Sequence, residues 1–118
     1  MFVVYVIVTV VTALANALMA VLDLLRARFV LINAAAVSVP RSWVPGLGLL
    51  KGLGAVGLVA GVLGWRGIGV AAAGGLVLFF VGAVAVHLRA RVLRTVVFPG
   101  AFLCAAVASL ALGIAQGA

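Results

Sequence analysis

Four long apolar runs alternate along the chain with three polar breaks of very unequal size. The runs cover about residues 1–22, 46–64, 68–88 and 96–114. A helix rising about 1.5 Å per residue needs ~20 residues to cross a ~30 Å hydrocarbon layer, so each run predicts one spanning helix. The first run is rich in β-branched residues, from Val3-Val4 through Val10-Val11-Thr12. In water that stretch would favour a strand, but in lipid a lone strand leaves its backbone unsatisfied, so helix prevails. Only Trp65-Arg66-Gly67 separates the second and third runs, which predicts a tight antiparallel hairpin. The expected fold is all-α, an integral membrane four-helix bundle with glycine-rich helix interfaces, and a single domain covers residues 1–118.

The first break, from about Asp23 to Pro45, is the one connection of any length. Polar and apolar residues mix in it, which extends the first helix past the bilayer core or lays a segment along the interface. Pro40 and Pro45 bracket Arg41-Ser-Trp43-Val, and each disfavours helix at the residue before it. Arg41 with Trp43, and Trp65 with Arg66 at the hairpin turn, are the expected interface anchors. No basic segment precedes the first run, and Arg26 and Arg28 follow it, the reverse of a secretory signal. The first run is therefore read as a retained span.

Composition removes the soluble alternatives. Hydrophobic residues make up 69% of the chain and charged residues 8%, with a mean hydropathy of +1.53, too few polar groups to cover a water-soluble surface. The net charge of +7, eight Lys/Arg against the single acid Asp23, would suggest nucleic acid in a soluble protein. Here the cations gather at span ends, where they orient the chain and meet lipid headgroups, so no nucleic-acid partner is expected. Arg26, Arg28, Arg41, Arg89, Arg91 and Arg94 fall on one side and only Arg66 on the other. The positive-inside rule then puts the basic connections in the cytoplasm and both termini outside. The lone Cys104 excludes an internal disulfide and is expected to pack in the last span as a small apolar residue.

Glycines supply the packing logic. Gly54, Gly57, Gly61 and Gly64 recur at spacings of three, four and three, while Ala71, Gly75, Gly82 and Ala85 repeat the pattern on the third span. Helices in lipid associate through close backbone approach, so both stripes are expected at helix interfaces. Gly-rich order does not make a nucleotide loop, since no Gly-Lys-Ser/Thr ending is present. Thr9, Thr12, Asn16 and Asp23 give the first helix a weakly polar face. Asn16 near mid-membrane asks for an interhelical hydrogen bond or a ligand. Two partners stand open for Asp23: Lys51 on the next span, neutralising two costly charges, and the local Arg26 at i+3. His87 ends the third span with no second histidine for a haem and no further ligands for zinc. With Asn16 and Arg89 it is a candidate contact for a ligand's polar head. No catalytic or metal-binding set is evident, and no cofactor beyond a quinone or lipid.

Leu50-Lys51-Gly-Leu-Gly-Ala-Val-Gly57-Leu, Gly69-Val-Ala-Ala-Ala-Gly-Gly75-Leu-Val-Leu-Phe79, Val81-Gly82-Ala83 and His87-Leu-Arg-Ala-Arg91 resemble the DoxX-like family of small bacterial membrane proteins. Val39-Pro-Arg-Ser-Trp43 and Asp23-x-x-Arg26 are similar to its actinobacterial branch. The resemblance implies a four-helix fold in the bacterial plasma membrane and, for some relatives, association with redox or thiol-stress partners. Many members have an acid where Lys51 aligns, so no catalytic residue is carried over. The expected function is a non-catalytic accessory subunit or assembly factor that docks a membrane or redox partner or a second copy. The alternative is a quinone- or lipid-binding subunit of a shared oxidoreductase. A small transporter is the less favoured third reading, because the chain has no glutamate and its ionisable groups sit near span ends.

Overall fold

A computed structural model describes residues 2–117. It contains α1 (Phe2–Leu24), α2 (Arg28–Ala36), a short 3-10 turn (Arg41–Trp43), α3 (Val44–Val62), α4 (Arg66–Arg89) and α5 (Val97–Gly117). Four helices, α1, α3, α4 and α5, are long and apolar enough to cross a membrane. They form a closed ring in which α1 packs on α3, α3 on α4, α4 on α5, and α5 back on α1. The particle measures 41 × 25 × 18 Å, and the long axis suits a bilayer of about 40–45 Å with its headgroup layers. Large hydrophobic side chains such as Leu14, Leu53, Val56 and Leu78 face outward. The interior is built instead from Ala13, Ala55, Ala73 and Ala106 around Leu58, Leu76 and Phe80.

That inversion follows from the solvent. Lipid tails are as apolar as leucine, so burying leucine gains little, and contact comes from bringing backbones together. α3 and α4 approach most closely where Gly61 faces Gly69: a Cβ on Gly61 would lie 2.6 Å from the Gly69 Cα. One turn earlier a Cβ on Gly57 would meet the Ala72 Cβ at 2.5 Å, and one on Gly54 would meet the Leu76 side chain at 2.6 Å.

The small-residue pattern needs two corrections. Gly64 does not continue the α3 stripe; it ends the helix at φ +124° with no neighbour within 4 Å. Gly75 and Gly82 meet nothing within 4 Å, and with Ala71 and Ala85 they form an exposed strip on the outside of α4. The inner face of α4 is Gly69, Ala73, Leu76 and Phe80. Leu76 fits the notch left by Gly54, which yields more contact than one glycine stripe against another. Cys104 is likewise exposed on α5 rather than packed.

The connections are also more ordered than expected. The turn between α3 and α4 is Leu63-Gly64-Trp65, and Arg66 already begins α4. The first connection folds into the separate helix α2 instead of prolonging α1. Four helices end in the same device. Arg26 (φ 52°), Ser38 (φ 63°), Gly64 and Arg91 (φ 56°) are left-handed. In each case that residue's N–H bonds three residues back, and the next N–H bonds five back, for example Arg91 to Leu88 and Val92 to His87. These are Schellman closures, which satisfy the last carbonyls of each helix. Only one of the four uses glycine, the residue for which the left-handed conformation is free of strain.

Two outcomes follow from this packing. Gly61→Leu will lose at least about 1–3 kcal/mol through overpacking against Gly69, whereas Gly75→Leu will be neutral or slightly stabilising, since it gains helix propensity in open space. Thermal unfolding in mild detergent compares them; equal losses would refute the assignment of faces. Ser38→Gly should stabilise by about 1 kcal/mol by relieving a left-handed non-glycine residue, read in the same assay as a rise in Tm.

Candidate functional site

At one end of the bundle α1 and α4 finish while α3 and α5 begin, and α2 packs there on α3 and the 3-10 turn. Pro45 and Pro99 sit in the first turns of α3 and α5, where a missing N–H costs nothing. Between these segments lies a cavity of about 480 Å³, within the roughly 300–1,000 Å³ of small-molecule sites. Phe29 and Val30 of α2, Trp43 of the turn, Phe79 and Phe80 of α4, and Phe98 and Phe102 of α5 line it. Five of the chain's six phenylalanines are thus gathered around one hollow. Phe80 packs against both Phe79 and Phe102, with ring centroids 5.0 and 5.2 Å apart, an edge-and-tilt arrangement that aromatic quadrupoles favour.

The polar wall of the cavity is an ion pair. Lys51 Nζ donates to Asp23 Oδ2 at 2.8 Å, with side chains only 13% and 3% exposed. Of the two partners open to the acid, Lys51 is the one that meets it, while Arg26 sits exposed beyond the helix end. The ammonium also lies 5.4 Å from the centroid of the Phe79 ring, close enough for cation–π attraction. Asp23 reaches this place because α3 offers no side chain opposite it: a Cβ on Gly48 would fall 2.6 Å from the Asp23 Cβ. Gly48 is outside the predicted stripe, and only the tertiary structure shows that the pair depends on it.

His87 lines the same cavity. Its Nδ1 lies 2.7 Å from the Ala83 carbonyl oxygen. A carbonyl can only accept, so Nδ1 carries the hydrogen and Nε2 is left as the ring's second polar atom. The other two candidates lie elsewhere. Asn16 is fully buried on α1; its Nδ2 donates to the Thr12 carbonyl, and its Oδ1 has no partner among the described residues. Arg89 is exposed in the last turn of α4 and does not line the cavity. Further along the polar face of α1, the Thr9 and Ser109 hydroxyls bond at 2.8 Å, tying α1 to α5.

Among the expected anchors Arg41, Trp43 and Trp65 are all exposed, and Trp43 also lines the cavity. Arg66 at the opposite end donates to the Gln116 carbonyl near the end of α5, a cation placed at the negative pole of a helix. No cluster of three His, Cys, Asp or Glu residues suited to a metal occurs among the described residues. The arrangement can therefore hold an apolar, ring-shaped body among aromatics, with the Lys51 ammonium as donor and His87 Nε2 as acceptor on one wall. The phenylalanines carried no signal of this in the sequence, because they come from three separate helices.

Set against known proteins, residues 7–109 match the model of the DoxX-like family. That range includes every residue lining the cavity. Searches of curated proteins and of solved structures return no significant match.

The ion pair can be tested by a double-mutant cycle. Lys51→Ala leaves a buried carboxylate unpaired and should cost about 3–5 kcal/mol. The variant with both Asp23→Ala and Lys51→Ala should recover part of that loss. Strict additivity of the two single losses would mean the groups are not coupled.

Proposed function

The chain belongs to the DoxX-like family, and from that membership and the cavity we propose that it is a non-catalytic membrane subunit that holds a ring-bearing amphiphile. The supporting observation is the gathering of five phenylalanines and Trp43 around one hollow whose polar wall is the Asp23–Lys51 pair. A flat ring, a quinone head among them, would stack on aromatics while an oxygen accepts from the Lys51 ammonium and a ring hydroxyl donates to His87 Nε2. The cavity lies between span ends, so the tail of such a ligand would run into the surrounding lipid. By the positive-inside rule the cavity end faces the cytoplasm of a bacterial cell, and the bundle sits in the plasma membrane.

The same protein would work beside a partner. The exposed strip of Ala71, Gly75, Gly82 and Ala85 on α4 is a smooth surface on which another helix could lie. It favours an accessory subunit over a free-standing binding protein. A fixed-ratio second polypeptide in native mass spectrometry of gently released protein would support that part, and a bare homogeneous monomer would count against it.

Ligand binding is checked with Trp43 as the reporter. In a Trp65→Phe background reconstituted in neutral-lipid nanodiscs, decylubiquinone should quench Trp43 saturably. Ala83→Leu, which fills the cavity, should weaken that quenching at least tenfold. Linear, non-saturating quenching that is unchanged by Ala83→Leu would sink the reading.

A further inference from the structure

The charge around the cavity is one-sided, and this narrows the ligand further than its shape does. Seven cations and one acid share this end of the bundle. The acid, Asp23, is already bound to Lys51 at 2.8 Å, so the wall itself is close to neutral. The six arginines around it are all exposed. Each lies within four residues of one that lines the cavity: Arg28 precedes Phe29, Arg94 precedes Thr95, and Arg89 follows His87 by two. Asp23 is the only acidic side chain in the sequence, so no other is there to neutralise them. A low-dielectric hollow rimmed by one sign of charge concentrates ligands of the other sign.

The groups on the wall point the same way. Lys51 has three N–H donors and no acceptor; one N–H is used on Asp23. Nδ1 of His87 is held by the Ala83 carbonyl, which keeps the ring in a fixed orientation at the wall. Aromatic faces and one partly satisfied ammonium suit an acidic group attached to a ring. A phospholipid carries no ring to set among these aromatic faces.

We propose that the cavity selects an anionic, ring-bearing, single-chain amphiphile, with the ring among Phe79, Phe80 and Phe102 and the acid group held between Lys51 and the arginine rim. This rests on the ring-binding reading above and adds the sign of the charge. Nothing is bonded or transferred; the site recognises and holds.

The test uses a matched pair of probes, 4-octylbenzoate and the neutral 4-octylbenzamide. Both are titrated against the Trp65→Phe protein in phosphatidylcholine nanodiscs, after correction for partitioning into empty discs. Benzoate should bind at least tenfold more tightly than benzamide, and added salt should shrink that ratio because the rim is exposed. Replacing two rim residues together, Arg28→Gln and Arg94→Gln, should narrow the ratio at least threefold. These side chains are exposed, so folding is not at stake, and unchanged Tm confirms it. Equal affinity for the two probes overturns the charge inference and leaves the ring reading intact. Benzoate binding that survives Ala83→Leu unchanged also overturns it, since the acid would then sit on surface arginines outside the cavity. If neither benzoate, benzamide nor decylubiquinone binds saturably, both readings fall.

Discussion

The organisation of this bundle depends on a buried ion pair at one end. A lone carboxylate inside a membrane helix is costly, and Asp23 is tolerated because Lys51 meets it at 2.8 Å. That meeting draws α1 against α3, although 19 residues of connection separate the two helices in the chain. It also requires Gly48, whose missing side chain lets Asp23 in. The chain therefore joins charge neutralisation, helix pairing and the cavity wall in three residues.

The rest of the bundle is held by close approach rather than by burial of large groups. Gly61 against Gly69, Gly57 against Ala72, and Leu76 in the Gly54 notch set the spacing of α3 and α4. The Thr9–Ser109 hydrogen bond closes α1 onto α5. Toward the hairpin, Gly61 and Gly69 bring α3 and α4 into backbone contact. Near the ion pair, the proline-started helices and α2 leave room, and aromatic side chains line it. The division into a tight half and an open half is what makes a ligand reading physically reasonable.

Small residues show how far pattern can reach. The stripe on α3 was legible because Gly54, Gly57 and Gly61 fall on one face with bulky residues elsewhere. On α4 small residues occupy more than one face, so periodicity alone chose Ala71, Gly75, Gly82 and Ala85, and the bundle turned the face of Gly69, Ala73, Leu76 and Phe80 inward. The candidate contacts divide in the same manner. His87 lines the cavity, while Asn16 is buried on α1 away from it and Arg89 remains outside.

From the sequence alone came the membrane setting, four spans, a helical fold, a basic end, the hairpin and the family resemblance. Those follow from run length, hydropathy and charge position, which are local properties and survive without knowledge of neighbours. Helix rotation, the partner of Asp23, the role of Gly48 and the aromatic cavity were decided by tertiary structure. Each depends on which faces meet across segments distant in the chain, and in lipid no apolar–polar contrast marks the inward face beforehand. The Schellman endings at Arg26, Ser38 and Arg91 belong to the same class, because residues with side chains accept a left-handed conformation only where the surrounding helix ends require it.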